Sequence, residues 1–192
     1  ALTALAEEAR TTGVTVRTEC ADFSDPKQLN ALATTLCADS EPVHILIHSA
    51  GVIRMGAVAD LSPADVGLQL QVNTLAPYTL THALLPKLRA TQGDIVFINS
   101  RAGYMTFQNN SGYCMSKFAL TALADVLRDE LREDGVRVSS VFPGKVATAM
   151  QETLHQEVEK PYRPESYVDV AAIAQSIVDA LKLPANTMLS SV

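Results

Sequence analysis

The sequence predicts an α/β protein built on a doubly wound, mostly parallel sheet with helices on both faces. Two observations carry this. Short β-branched runs alternate with longer segments of helical spacing, which implies parallel strands joined by crossover helices. The apolar runs are also continuous rather than alternating, as in strands covered on both faces.

Residues 1–10 are rich in Ala, Leu and Glu, with Leu2, Leu5, Ala6 and Ala9 on one helical stripe that Gly13 stops. Residues 14–20 (VTVRTEC) read as a strand. Asp25 and Pro26 read as the N-cap and first position of a helix carrying Leu29 to Leu36. Residues 43–48 (VHILIH) read as a buried strand. A long helical segment covers 62–89, and Pro77 inside it predicts a kink or break near Asn73 to Ala76. Strands at 94–99 and 137–142 flank one long helix over 111–133, in which Tyr113, Lys117, Leu120, Ala124, Leu127 and Leu131 recur at helical spacing. Residues 151–167 carry Pro161 and Pro164 and read as a mobile excursion, either a lid that brings Tyr162 and Arg163 to a ligand or a plain flexible loop. A last helix over 168–183 and the start of a strand at 188–192 complete the pattern.

With 192 residues and 47% apolar content, the chain is read as a single domain over 1–192. A net charge of −6 argues against a nucleic-acid or anionic-membrane partner, and no apolar run is long enough for a membrane span. The cysteines Cys20, Cys37 and Cys114 form no CxxC pair and read as reduced thiols of a cytoplasmic protein. The four histidines lack metal-ligand spacing, so no metal is expected.

In such a sheet, ligands bind beyond the carboxyl ends of the strands. Asp22, Ser49 to Gly51, Ser100 and Pro143–Gly144 each follow a strand end and are expected to line one crevice. Tyr113 and Lys117, four residues apart, share a helix face. An ammonium beside a phenol favours phenolate, bringing a group of ordinary pKa near 10 toward a useful base. Ser100, at the end of a buried strand, can hydrogen-bond a substrate oxygen. The three suit proton transfer at an alcohol or carbonyl. YxxxK alone is a common surface pattern, so the context decides.

That context resembles the short-chain dehydrogenase/reductase family, of the compact type, over nearly the whole chain. Ala21-Asp22-Phe23-Ser24-Asp25 resembles its D-x-x-D segment, and His48-Ser49-Ala50-Gly51 its N-N-A-G motif. Val72-Asn73-Thr74-Leu75 is similar to N-x-N-x, and Ile98-Asn99-Ser100-Arg101-Ala102-Gly103 to the strand end bearing the catalytic serine. Tyr113-Cys114-Met115-Ser116-Lys117 is similar to Y-x-x-S-K, and Pro143 to Thr148 to P-G-x-V-x-T.

The resemblance implies a Rossmann-type oxidoreductase that transfers a hydride between NAD or NADP and an alcohol/carbonyl substrate. Tyr113 would be the general acid/base. Lys117 would lower its pKa and bind the nicotinamide ribose. Ser100 would position the reacting oxygen, and Asn73 would hold a relay water. Asp22, Phe23, Ser49, Ala50, Gly51, Pro143, Gly144, Val146 and Thr148 would meet the cofactor, and Tyr104 and Met105 the substrate. It also implies a homodimer or homotetramer, for which the second stripe of the long helix (Phe118, Ala122, Val126) is the candidate face. A non-catalytic dinucleotide sensor or scaffold, and an epimerase or dehydratase of the extended relatives, are the alternatives.

Two departures stand out. His48 and Ser49 replace two asparagines, and His48 is expected to be a satisfied core histidine. The glycine-rich phosphate-binding turn and the strand that selects between NAD and NADP are absent. The expectation is a Rossmann-type sheet incomplete at the N-terminus, its first strands and cofactor-phosphate turn missing.

Overall fold

The computed structural model describes residues 2–157 and 161–192. Seven α-helices and three strands are named among them: α1 (Leu2–Arg10), α2 (Pro26–Ala38), β1 (Ile45–His48), α3 (Pro63–Leu70), α4 (Ala76–Thr91), β2 (Asp94–Ile98), α5 (Ser111–Glu130), β3 (Arg137–Val141), α6 (Ala149–Glu157) and α7 (Val170–Leu181). The strands form one parallel sheet in the order β1-β2-β3. The crossover from β1 to β2 carries α3 and α4, and that from β2 to β3 carries α5.

Register explains which residues face which layer. Leu46 pairs with Ile95 and His48 with Phe97, on the face that receives α4 and α5. Ile95, Phe97 and Val138 pack there against Leu84, Leu88, Leu120, Ala124, Leu127 and Leu131. Each fully buried side chain of this size contributes roughly 1.5–3 kcal/mol. The other face, including Val96 and Ser139, receives Ile177, Ala180 and Leu181 of α7. Helices therefore cover both faces of β2 and β3, while the second face of β1, with Ile45 and Ile47, stays exposed.

The expected cap at Asp25 forms, accepting from Lys27 N at 2.9 Å, and Ser62 Oγ caps α3 by accepting from Asp65 N at 3.1 Å. The expected break in the 62–89 helix is a π-turn over Gln71–Leu75 that joins α3 to α4. Its cause is local. Pro77 has no N–H to give the Asn73 carbonyl four residues before it, so the α-helical ladder cannot run through. His48 is buried as expected, with Nε2 2.8 Å from Thr81 Oγ1 and its ring stacked on Phe97.

Two expectations are corrected. Residues 14–20 form no strand. Among the described residues no strand lies beside them, so their backbone groups have no ladder to join; Arg10 reaches Val16 O, and Arg17 pairs with Glu19 and Asp39. The 151–167 excursion is not irregular throughout. It opens in α6, while residues 158–160 of that stretch lie outside the described residues. The 188–192 run makes only a short parallel pairing beside β3, with Ser140 N donating to Ser190 O and Phe142 N to Val192 O.

Candidate active site

Beyond the carboxyl ends of the strands lies a cavity of about 770 Å³. Three walls enclose it: the β1 and β2 ends with their following loops, the N-terminal half of α5, and a lid side built from the 143–148 segment, α6 and α7. Ser100, Tyr113 and Lys117 all line it, with Ser49, Gly51, Pro143, Gly144, Val146 and Thr148.

Ser100 leaves β2 in extended conformation (φ −163°), and its Oγ accepts from Ala102 N at 3.1 Å. Asn99 fixes this corner. Its Oδ1 accepts from Ser100 N at 2.9 Å, and its Nδ2 donates to Thr121 Oγ1 at 2.9 Å and Lys117 O at 3.3 Å. The end of β2 is thereby clamped to the turn of α5 that carries Lys117. No side chain fits at Gly103 beside this clamp, because a Cβ there would fall 2.7 Å from Asn99 Oδ1 and 2.8 Å from Thr121 Oγ1. Sequence reasoning quoted Asn99 within a motif but gave it no role. Its position between a buried strand and a helix was the available signal.

Lys117 is 4% exposed, and its Nζ donates to Ile98 O at 3.0 Å while lying 5.8 Å from the Tyr113 ring centroid. Burial lowers its pKa to about 8. Burial also raises the Tyr113 phenol above its ordinary value, and the neighbouring Ser100 side chain opposes that rise. The expected lowering by Lys117 is not among the causes of the Tyr113 shift, which burial dominates.

Asn73 sits in the π-turn with no exposure. Its Oδ1 accepts from Val52 N at 2.8 Å, and its Nδ2 donates to Val52 O and Ser116 Oγ, each at 2.9 Å. The side chain thus ties the loop after β1 to α5. The Asn73 carbonyl is the group that Pro77 deprives of its usual helical donor.

Other expected residues lie elsewhere. Asp22 is exposed, and its carboxylate accepts from Ser24 N and Oγ, which hold its pKa low. Phe23 packs against the Leu29–Leu80 cluster. Asp22, Phe23 and Ala50 are outside the cavity wall. So are Tyr104, whose ring packs edge-on against Phe142, and Met105. Tyr162 packs on His155 and Tyr167 rather than facing the cavity. Residues that sequence reasoning missed take these places: Arg101 and Phe107 beside Ser100, Leu154 on α6, and Val170, Ile173, Ala174 and Ile177 on α7. The α7 set has plain helical spacing, which is the signal that could have found it.

The wall suits the nicotinamide half of a dinucleotide. Gly51 borders both Asn73 and Lys117: a Cβ there would meet Asn73 Oδ1 at 3.4 Å and Lys117 Nζ at 4.0 Å, ordinary contact distances. The Lys117 ammonium uses one of its three donors on Ile98 O, leaving two for ribose hydroxyls.

The family model for short chain dehydrogenases matches residues 1–159. The chain is 32% identical over 187 residues to a sepiapterin reductase of Chlorobaculum tepidum, spanning 96% of this chain and 74% of that protein. It is 31% identical over 156 residues to the oxidoreductase UcpA of Escherichia coli, spanning 80% of this chain and 59% of that protein. A metagenomic short-chain oxidoreductase solved with NADP superposes with TM-score 0.79 at 27% identity, over 100% of this chain and 78% of that one. An alcohol dehydrogenase of Thermococcus sibiricus, solved with 5-hydroxy-NADP, superposes with TM-score 0.87 over 100% of this chain and 79% of that one; at 24% identity it speaks for the fold. The chain belongs to the short-chain dehydrogenase family of NAD(P)-dependent oxidoreductases.

Proposed function

We propose that this chain interconverts an alcohol and its carbonyl compound, with Tyr113 as the general acid/base. The observation that carries this is the shared cavity wall of Ser100, Tyr113 and Lys117. Bound NAD(P)H supplies the hydride for reduction. Tyr113 gives its proton to the carbonyl oxygen, which becomes the alcohol hydroxyl; in oxidation the same proton returns. Ser100 Oγ holds that oxygen by a hydrogen bond. The Lys117 ammonium stabilises the tyrosinate left behind, and its free donors hold ribose hydroxyls. The Asn73 side chain fixes the loop after β1, leaving its carbonyl to hold a water that returns a proton to the site. Ser49, Gly51, Pro143, Gly144, Val146 and Thr148 form the cofactor side.

Tyr113, its pKa raised by burial, is a neutral phenol at neutral pH, the form that gives a proton in reduction. The test is Tyr113→Phe in the cofactor-loaded enzyme. Turnover is expected to fall at least about 100-fold, the ordinary worth of a positioned acid/base, while cofactor affinity stays nearly unchanged. Turnover at the wild-type level would end the assignment.

The exposed stripe of α5 at Phe118, Ala122 and Val126 supports a homodimer or homotetramer. Among the described residues, no helix is long and apolar enough to cross a membrane. The thiols of Cys20, Cys37 and Cys114 are unpaired, and a reducing, cytoplasmic setting is the proposed location.

A further inference from the structure

Among the described residues, the cavity wall holds three cations, Arg101, Lys117 and Lys145, and no carboxylate. This is against the grain of a chain with net charge −6. Lys117 has its place beside Tyr113. Arg101 and Lys145 have none in the reaction described above.

Arg101 directly follows Ser100, and its N–H donates to Pro143 O at 3.3 Å, so its backbone is tied to the opposite loop. Its side chain lies along that loop, with Cδ 4.0 Å from where a Cβ on Gly144 would sit. Its guanidinium has poor partners. One N–H meets the Met105 sulfur at 3.6 Å, a weak acceptor, and Cζ lies 5.9 Å from the Phe107 ring centroid. Arg17, Arg54, Arg89, Arg128, Arg132 and Arg137 each have an Asp or Glu within 4.0 Å. Among the described residues Arg10, Arg101 and Arg163 have none, and of these three Arg101 lines the cavity. A planar fork of donors thus stands in the wall beside the serine that would hold the substrate oxygen. Lys145, with Nζ 5.9 Å from the Tyr167 ring centroid, adds a second positive charge on the lid side. The remaining wall is largely apolar, with Ile53, Met55, Leu154, Ile173 and Ile177.

We propose that the substrate is an anionic carbonyl compound, an oxo acid with an apolar body, whose carboxylate is held by Arg101 while its carbonyl oxygen lies at Ser100 and Tyr113. This rests on the oxidoreductase reading. A carboxylate accepts two parallel bonds from a guanidinium, which fixes orientation as well as affinity. Lys145 adds attraction at longer range.

The test uses the cofactor-loaded enzyme, a series of straight-chain oxo acids and their methyl esters. Binding is measured by calorimetry and turnover by nicotinamide absorbance. Wild type is expected to prefer each acid over its ester. Arg101→Gln is expected to lose about 10- to 100-fold in affinity and kcat/KM for the acids, the range of a charge-assisted hydrogen bond, with esters unchanged. Arg101→Lys, which keeps charge but not the fork, should recover only part. The dissociation constant of NADPH, measured separately, should not move in either variant. Equal affinity for acids and esters in wild type would overturn the proposal. So would a loss in Arg101→Gln confined to NADPH, which would assign the arginine to cofactor phosphate. If acids bind in an Arg101-dependent way but no hydride moves, the oxidoreductase reading fails and the anion site stands.

Discussion

The two sides of the cavity are held in different ways. On the catalytic side, the groups around Tyr113 are braced by polar contacts: Asn99 joins Ser100 to α5, Asn73 joins the loop after β1 to Ser116, and Lys117 donates to Ile98 O. On the lid side, α7 has no buried residue, and its apolar stripe faces the cavity. Buried, satisfied polar networks have one low-energy arrangement, whereas half-exposed apolar contacts re-form at small cost. The chemistry is thus placed on rigid ground, and shape recognition is left to a surface that can adapt.

Removing a brace on the rigid side has the largest expected effect. Asn99→Ala leaves the Ser100 N–H without its acceptor and removes the bonds donated to Thr121 Oγ1 and Lys117 O. A loss of about 2–4 kcal/mol is expected in denaturant unfolding. The kcat should fall with little change in cofactor affinity, because Asn99 acts through Ser100. Unchanged stability and kcat together would show that the corner does not depend on it.

The next effect separates the rigid side by pH. Burial holds the His48 imidazole down to about 4, against an ordinary 6.5. Between those values the unfolded chain binds more protons than the folded one, so stability present above pH 6.5 is lost as pH falls toward 4. The shift corresponds to about 3 kcal/mol. In His48→Asn, this part of the acid sensitivity should vanish. Unfolding free energies of both proteins, measured across that range, should converge from a difference that changes by this amount. A constant difference would mean that another group carries the acid response.

The smallest effect belongs to the lid side. Ile173→Ala is expected to change stability by less than about 1 kcal/mol, since the side chain is only partly buried. Its substrate KM should shift several-fold with kcat held. A drop in stability comparable to that of Asn99→Ala would erase the contrast between the two walls.

The same contrast governs what was legible in the sequence. The parallel sheet, the caps at Asp25 and Ser62 and the break near Asn73 follow from local rules: continuous apolar runs, capping side chains and a proline without an N–H. Tyr113, Lys117 and Ser100 stood out by helix spacing and a strand end, and the motifs of the family resemblance decided for them. The strand at 14–20 was misread because strand formation depends on a neighbour, which no local pattern supplies. Tyr104 and Met105 were expected to face substrate from their place after Ser100 in the family motif, yet Arg101 and Phe107 line the cavity instead. The raised Tyr113 pKa was equally hidden, since spacing reports a nearby ammonium but not the depth of burial.

Native-state hydrogen exchange tests the central contrast most directly. Amides of β2 and of α5 around Lys117 and Thr121 should exchange only through global unfolding, with free energies near that of the whole domain. Amides of α7 should exchange through local opening, several kcal/mol lower. Equal protection of α5 and α7 would contradict the division into a fixed catalytic wall and an adaptable lid.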